Sequence, residues 1–253
     1  MSHFALGMNN QVSTFTAEAV TFDGTNDYLT NSSPTNPSAG DLFIFSAWWY
    51  MSSANVASIV TLNNSIGNRI VEFKHNTSTS PDRVMEVIIK NSSDALSHYY
   101  RVDANMNLNT WNHWLCAMDA STSATKEIWL NDVKQTVNTV TDTTDAIPYN
   151  LVTDMYVGQT QELTTPYTGD LSEVYFTNEY LDFDTESNRR KFITSDGKPV
   201  DLGSDGSTPT GTQPLIYMTG AASVWNAGTN AGSAGNFTMS GSVTDSSNEP
   251  VET

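Results

Sequence analysis

Short runs of β-branched and aromatic residues recur along this chain, each bounded by Asn, Ser, Asp, Gly or Pro. In the first run Val20 and Phe22 alternate with Thr21, which is the period of a strand with one face in water. Later runs lie at residues 58–62, 70–75, 84–90, 96–102, 111–118 and 127–130. Strands spaced by roughly 8 to 12 residues with turns between them predict an antiparallel sandwich or barrel.

Two further segments refine this prediction. Residues 42–51 are apolar on both faces over most of their length, which is typical of a central strand covered on both sides or lining a groove. Asn131 and Asp132 stand where a two-residue hairpin loop belongs, and both accept the positive φ of a type I′ turn. Asp is the costlier residue at the second position of such a turn.

The C-terminal part contains the one convincing helix pattern, at residues 185–194. Asp184 is placed to cap the exposed N–H groups of this helix, and Arg189 and Arg190 lie toward its negative end. Two late strands are predicted further on, at residues 215–218 and 236–240.

These C-terminal residues, 184–253, hold too few apolar side chains for a core of their own. We therefore expect them to dock on the sandwich as its closing strands. The predicted organisation is an N-terminal arm over residues 1–16 followed by one domain over residues 17–253, and residues 184–253 are called the extension below.

Three motifs in order carry a resemblance: VTFDGTNDYL at the start, TWNHW running to EIWLNDV in the middle, and VG leading to GDLSEVYF. In order and spacing they resemble the motifs of laminin-G-like, concanavalin-A-like jelly-roll domains over roughly residues 17–183. The resemblance implies an all-β fold, an antiparallel jelly-roll β-sandwich, here with one short helix. It implies little about function, because one fold supports many activities.

The extension carries a second resemblance, through NRRKFITSDGKPVDLGSDGSTPTG, PLIYMTG and GNFTMSGSVTDSS. These phrases resemble the extension of laminin-G-like domains in structural proteins of tailed bacteriophages. The resemblance implies a virion protein, either decorating the capsid or acting as a tail-associated adhesin. Its partners would be other virion proteins, copies of itself and cell-surface glycans.

The composition of the chain limits which classes of partner it is expected to bind. Eleven Lys and Arg stand against 28 Asp and Glu, which gives a formal net charge of −17. Because phosphate backbones are bound through clustered cations, nucleic acid is not expected as a partner. No apolar run approaches the ~20 residues that cross a bilayer, so membrane insertion is not expected. The N-terminus lacks a secretory signal pattern, which predicts a soluble protein made in a host cytoplasm.

The sequence gives little support for an enzymatic function. Laminarinase-type glycoside hydrolases share the fold, and they need two carboxyls about 5 to 5.5 Å apart on one strand face. The nearest run here is Asp182, Asp184 and Glu186, at a predicted junction of loop and helix where capping explains it better. The single Cys116 sits in an apolar strand and excludes an intramolecular disulfide. We expect no catalytic residue and no cofactor.

Oxygen ligands suited to calcium occur in the first turn, at Asp23, Asn26 and Asp27, and Asp170 with Glu173 could approach from a neighbouring strand. The same residues in such a turn commonly bind backbone N–H groups instead. This second interpretation is favoured, so no metal site is predicted.

Carbohydrate binding has a physical basis in aromatic side chains, whose apolar faces pack against sugar C–H groups while polar neighbours bind hydroxyls. The candidate ligand-binding residues are Tyr50, Tyr99, Tyr100 and Trp129. Trp129 is included because alternation with Ile128 and Leu130 directs it away from the inner core. The leading hypothesis is a non-enzymatic virion protein with a lectin-like sandwich; the alternatives are a laminarinase-type hydrolase and a free carbohydrate-binding module.

Overall fold

The computed structural model describes residues 15–76, 84–103, 107–122 and 125–250. In chain order the strands are β1 (Val20–Asp23), β2 (Tyr28–Asn31), β3 (Leu42–Tyr50), β4 (Ala57–Asn64), β5 (Arg69–Asn76), β6 (Val84–Lys90), β7 (Leu96–Asp103), β8 (Trp111–Asp119), β9 (Thr125–Leu130), β10 (Val133–Lys134), β11 (Asn138–Asp142), β12 (Val152–Val157), β13 (Thr168–Thr177), β14 (Ile216–Met218), β15 (Thr238–Ser240) and β16 (Thr244–Asp245). Two short helices, α1 (Glu186–Arg189) and α2 (Ala222–Asn226), follow β13 and β14, and a 3-10 turn covers Tyr149–Leu151.

Two antiparallel sheets pack face to face, and each has eight strands within the described ranges. Sheet 1 has the order β10-β9-β8-β3-β13-β1-β16, with β14 also paired to β13. Sheet 2 has the order β11-β7-β6-β5-β4-β12-β2-β15. Neighbours in a sheet are often distant in sequence, as in a jelly roll, so the predicted antiparallel jelly-roll sandwich is confirmed.

Strand alternation fills the space between the sheets. On β3 the side chains of Phe43, Phe45 and Trp49 point inward and are fully buried. Phe45 stacks on Phe73 of the opposite sheet, with ring centroids 4.1 Å apart. Cys116 lies in the same core, and burial raises the pKa of its thiol. The apolar period of β3 therefore places one face in the core, and what covers its other face depends on the extension.

The extension contributes strands to both sheets, since β14 and β16 join sheet 1 and β15 joins sheet 2. Leu215, Ile216 and Phe237 lie in the main core. A second apolar cluster forms on the outer face of sheet 1, where Phe183 and Phe192 are buried with Tyr175 of β13. The extension thus packs both between the sheets and over one of them.

The helices differ from the sequence prediction. Helix α1 is limited to Glu186–Arg189, and its N-cap residue Thr185 makes no side-chain capping hydrogen bond. Asp184 does not cap the helix, because its carboxylate pairs with Lys134 Nζ at 2.6 Å. Helix α2 was not predicted from the sequence; within it, Trp225 is fully buried and its ring lies 5.9 Å from that of Phe22.

The predicted hairpin loop between β9 and β10 has φ values of 51° at Asn131 and 61° at Asp132. The costlier Asp at its second position has a tertiary explanation. Its carboxylate accepts hydrogen bonds from Arg189 Nε at 2.7 Å and Arg190 Nη2 at 2.6 Å. Burial alone would raise the pKa of Asp132, but these arginines hold it below its ordinary value. The turn is therefore a docking point for the extension.

Candidate functional site

The outer face of sheet 1 is divided into two halves. The extension covers one half with the apolar cluster around Phe183 and Phe192. The other half, which the extension only borders, has aromatic side chains near the ends of β3 and β8. Tyr50 and Trp111 are partners in the β3–β8 register, and their ring centroids lie 6.0 Å apart. Both side chains are partly exposed. We call this pair, together with the neighbouring Trp48, which is only 4% exposed, the aromatic surface.

Strand alternation explains why these rings point outward. Because Phe45, Ala47 and Trp49 of β3 face the core, Trp48 and Tyr50 must face the opposite way. On β8, Trp114 and Cys116 face the core, so Trp111, an odd number of residues away, also points outward.

The register partner of Trp48 on β8 is a histidine. The Trp48 ring stacks on that of His113, with centroids 4.6 Å apart and planes inclined by 18°. Burial lowers the pKa of His113 to about 3, so the imidazole is neutral at physiological pH. Its Nε2 lies 2.8 Å from the Ser46 hydroxyl oxygen. The neutral stack holds Trp48 in one orientation without adding charge to the surface.

A first cavity of about 330 Å³ opens over Trp48 and Trp111. Polar side chains at its rim come from Asn131, Lys198 and Glu249, and Pro250 closes one side. The Asn131 side chain is fixed, because its Oδ1 accepts a hydrogen bond from the backbone N–H of His113 at 2.7 Å. The cavity therefore combines an apolar aromatic floor with donors and acceptors around it.

A second cavity of about 360 Å³ lies beside Tyr50. Its polar lining includes Thr21, Asp23, Asp170 and Asn248. The Asp170 carboxylate accepts from Thr21 Oγ1 at 2.6 Å through Oδ1 and from Ser246 Oγ at 2.7 Å through Oδ2.

The four aromatic residues predicted from sequence do not share one surface. Tyr50 belongs to the aromatic surface. Trp129 points outward from β9 as expected, but it is only 8% exposed because the extension covers it, with the Arg189 guanidinium 4.0 Å from its ring centroid. Tyr100 faces the core and is 2% exposed. Tyr99 is partly exposed on the outer face of sheet 2.

Sequence reasoning missed Trp111, which was assigned to a strand but not to the site. The available signal was its position relative to Trp114. An odd separation within one strand places two residues on opposite faces, and Trp114 has the neighbours of a core residue. Pairing with Tyr50 could not be read from the sequence, because it depends on the register between β3 and β8.

The acidic run considered for hydrolase chemistry does not lie on a strand. Asp182 Oδ1 accepts from the Asp184 N–H at 2.9 Å, and Glu186 begins α1, where it pairs with Arg190 Nη2 at 3.0 Å. Glu127 of β9 comes within 4.8 Å of Asp182 and Asp184. Burial raises the pKa of Glu127, and its carboxylate accepts from the Phe183 N–H at 2.5 Å, which fixes the loop before α1.

The first turn uses its oxygen atoms for backbone contacts. Asp23 Oδ1 accepts from the Thr25 N–H at 2.7 Å, and Asp27 accepts from the N–H groups of Asp23 at 3.0 Å and Ser242 at 2.8 Å. Glu173 accepts from the hydroxyls of Tyr217 and Thr219. These bonds fasten the turn and the extension to the sandwich.

Within the described residues, no helix has the length and apolar character needed to cross a membrane.

Comparison with solved structures identifies the fold. A putative carbohydrate-binding protein from Bacteroides ovatus ATCC 8483 superposes with a TM-score of 0.62 at 18% identity, over 92% of this chain and 61% of that one. The native heptameric SAP-like pentraxin from Limulus polyphemus superposes with a TM-score of 0.53 at 12% identity, over 68% of this chain and 81% of that one. No protein-family model and no curated protein matches the sequence. The chain thus shares the fold of these two proteins, an antiparallel jelly-roll β-sandwich.

Proposed function

We propose that this protein is a non-enzymatic carbohydrate-binding protein and that the aromatic surface is its sugar site. The observation that carries the proposal is the pairing of two partly exposed rings, Tyr50 and Trp111, between cavities rimmed with polar side chains. Small-molecule sites typically combine an apolar concave floor with a few fixed polar groups. The fold shared with a putative carbohydrate-binding protein supports the same function by analogy.

The charges near the site favour neutral sugars. Asp23, Asp170 and Glu249 line the two cavities, and Lys198 is a cation at the rim. The whole chain carries a formal charge of −17. Because like charges repel across a poorly screened cavity, sialylated, uronic or sulfated glycans should bind more weakly than neutral ones.

A glycan array followed by titration calorimetry tests the site. Trp111→Ala and Tyr50→Ala should each weaken binding at least about tenfold, a loss of about 1.4 kcal/mol. Tyr28→Ala is the matched control, because Tyr28 is a partly exposed aromatic residue on sheet 2. Equal loss in all three variants, or binding that survives both site substitutions, would place the site elsewhere. Tyr99→Ala in the same series tests the other exposed tyrosine.

We further propose that the protein is a virion component of a tailed phage, as a capsid decoration or a tail-associated adhesin. Support comes from the resemblance of the extension to that of phage structural proteins, together with the acidic charge. Mass spectrometry of purified particles tests the placement, and copy number separates decoration from a tail tip. Absence of this chain from particles in which the other structural proteins are detected would favour a free carbohydrate-binding module.

The laminarinase-type alternative is disfavoured by geometry, because Asp182, Asp184 and Glu186 lie in a loop and at a helix start. Strand alternation therefore cannot place them on one face of a cleft. Release of reducing sugar from β-glucans by the wild-type chain, abolished by Asp184→Asn, would restore this alternative.

A further inference from the structure

Consecutive residues near the C-terminus form a wall of both cavities. Ser247 and Asn248 line the cavity beside Tyr50, whereas Glu249 and Pro250 line the cavity over Trp111. Since successive residues line first one cavity and then the other, the segment passes from the side of Tyr50 to the side of Trp111, its register partner on the adjacent strand. We call residues 246–250 the strap.

The strap is anchored at its start by a few polar contacts. The Ser246 N–H donates to the Ala19 carbonyl at 2.9 Å, which continues the pairing of β16 with β1. Ser246 Oγ donates to Asp170 Oδ2 at 2.7 Å and accepts from the Asn248 N–H at 2.9 Å. A single serine hydroxyl therefore links the strap both to the sheet and to itself.

The far end of the strap is held differently. Pro250 is buried beside the aromatic cavity, while Ser247 and Asn248 are exposed. A proline ring is apolar and rigid, so it closes that side of the cavity. The strap therefore has a polar anchor at Asp170, an exposed middle and an apolar end next to the tryptophans.

This arrangement limits what the surface can hold. The two cavities, about 330 and 360 Å³, are each at the lower end of the volumes of small-molecule sites. Beneath the strap, the register row Trp111, Tyr50, Asp170 and Thr21 continues across four strands. Without the strap, this row would be one open face long enough for several sugar units.

We propose that the strap makes the site specific for the ends of glycan chains and excludes their internal units. This inference rests on the proposed carbohydrate-binding function. A chain end enters either cavity from the side, whereas a polysaccharide running along the row meets the strap. The strap residues are specificity determinants, and the aromatic surface supplies the contact.

The test compares the full chain with a chain ending at Asp245, which keeps β16. Both are titrated with lengthening series of cello-, laminari- and galacto-oligosaccharides and with the corresponding polysaccharides. For the full chain we expect the affinity to rise with oligosaccharide length only until a short oligosaccharide is reached. Binding to a polysaccharide should scale with the number of its chain ends. The shortened chain should gain about tenfold or more in affinity along the same series. Thermal melts establish that both chains are folded.

A single substitution tests the same inference without shortening the chain. Ser246→Ala removes the anchoring hydroxyl. Ser242→Ala is its control, since Ser242 is an exposed serine that lines neither cavity and whose hydroxyl makes no hydrogen bond within the described part of the chain. Ser246→Ala should shift the length dependence toward that of the shortened chain, and Ser242→Ala should not. If the full and shortened chains bind with the same length dependence, the strap inference is wrong while the function stands. If neither binds any sugar, the proposed function fails and this inference fails with it.

Discussion

The outward side chains of the two sheets are buried in different ways. On sheet 1, the outward side chains of Ile44, Leu115 and Tyr175 are apolar or aromatic and lie in a cluster with Phe183 and Phe192 of the distant C-terminal part. For Ile44 and Leu115, burial therefore depends on residues far away in sequence. The aromatic surface is the part of this face where Tyr50 and Trp111 stay partly exposed.

On sheet 2, outward carboxylates are buried within the sheet itself. Glu86 is 1% exposed at its side chain and is approached by Lys74 Nζ at 3.3 Å and Arg101 Nε at 3.5 Å. It also accepts from the Tyr99 hydroxyl at 2.6 Å. Glu72 accepts from Ser58 Oγ at 2.6 Å and pairs with Arg69 Nη1 at 2.8 Å.

The difference shows what a strand pattern leaves open. Alternation determines which side chains point outward, but the chemistry of those side chains decides what must cover them. Apolar outward residues require another layer, whereas charged ones need partners on neighbouring strands because an unpaired buried charge is costly.

The largest effect should come from removing the extension, which supplies both the layer over sheet 1 and part of the main core. A chain ending at Asp182 loses Leu215, Ile216 and Phe237, each of which contributes about 1.5 to 3 kcal/mol when fully buried. The sum approaches the whole stability of a typical domain, about 5 to 15 kcal/mol. We expect an insoluble or unfolded product, assessed by solubility and circular dichroism. A soluble monomer as heat-stable as the full chain would show that the extension is a separate appendage.

Breaking the network of sheet 2 should cost less. Glu86→Ala leaves Lys74 and Arg101 without their shared carboxylate, and both are partly buried. We expect a loss of about 2 to 4 kcal/mol in the free energy of unfolding, measured by urea denaturation. Glu162→Ala is the control, because Glu162 is 45% exposed and lies 3.9 Å from Arg69. Similar losses in both variants would contradict a role for burial.

The interface of the extension with sheet 1 should respond to pH through Glu173. Burial raises the pKa of this carboxyl to about 7 from 4.5, against hydrogen bonds from Thr219 and Tyr217 that lower it. Because the folded pKa exceeds the unfolded one, its stabilising contribution is complete below pH 4.5 and is lost as the pH rises through 7.

Glu173→Gln stays neutral and should lose this pH dependence. Relative to wild type, the free energy of unfolding of the variant should increase by about 2 kcal/mol between about pH 5 and pH 8. Urea denaturation at both pH values measures the gain. Glu162→Gln serves as the exposed control and should show no such trend. A constant difference between Glu173→Gln and wild type would refute the assignment.

The smallest effects should come from the ion pairs that bind the extension, two at Asp132 and one at Asp184. Asp132→Asn keeps a residue that tolerates positive φ but loses the charge that pairs with Arg189 and Arg190, and it should cost about 1 to 2 kcal/mol. Asp184→Asn removes the exposed pair with Lys134 and should change stability by less than about 0.5 kcal/mol. Thermal melts of the two variants measure both, and the reverse ranking would show that burial does not decide the strength of these pairs.

Much of the framework was predictable from local patterns. The alternation in β1, the apolar run of β3 and the turn at Asn131 and Asp132 all agree with the structure. The two late strands were also predicted close to their observed positions, β14 and β15. These features depend on side-chain period and turn chemistry, which are properties of neighbouring residues.

Helix α2 and the site were not predictable in the same way. Helix α2 has Ala221 at its N-cap without a side-chain capping bond, and it is fixed by burial of Trp225 and by a hydrogen bond from the Ala222 N–H to Asp245. Trp129 points outward as its period predicts, yet Arg189 and the rest of the extension cover it.

By itself, the sequence determined the sandwich, the outward direction of the aromatic residues and the acidic character of the chain. Only the tertiary structure decided which outward rings stay accessible, that Tyr50 and Trp111 become neighbours, and that residues 247–250 line the two cavities beside them. The physical reason is that alternation acts between adjacent residues, whereas strand register and the path of the extension join residues far apart in the chain.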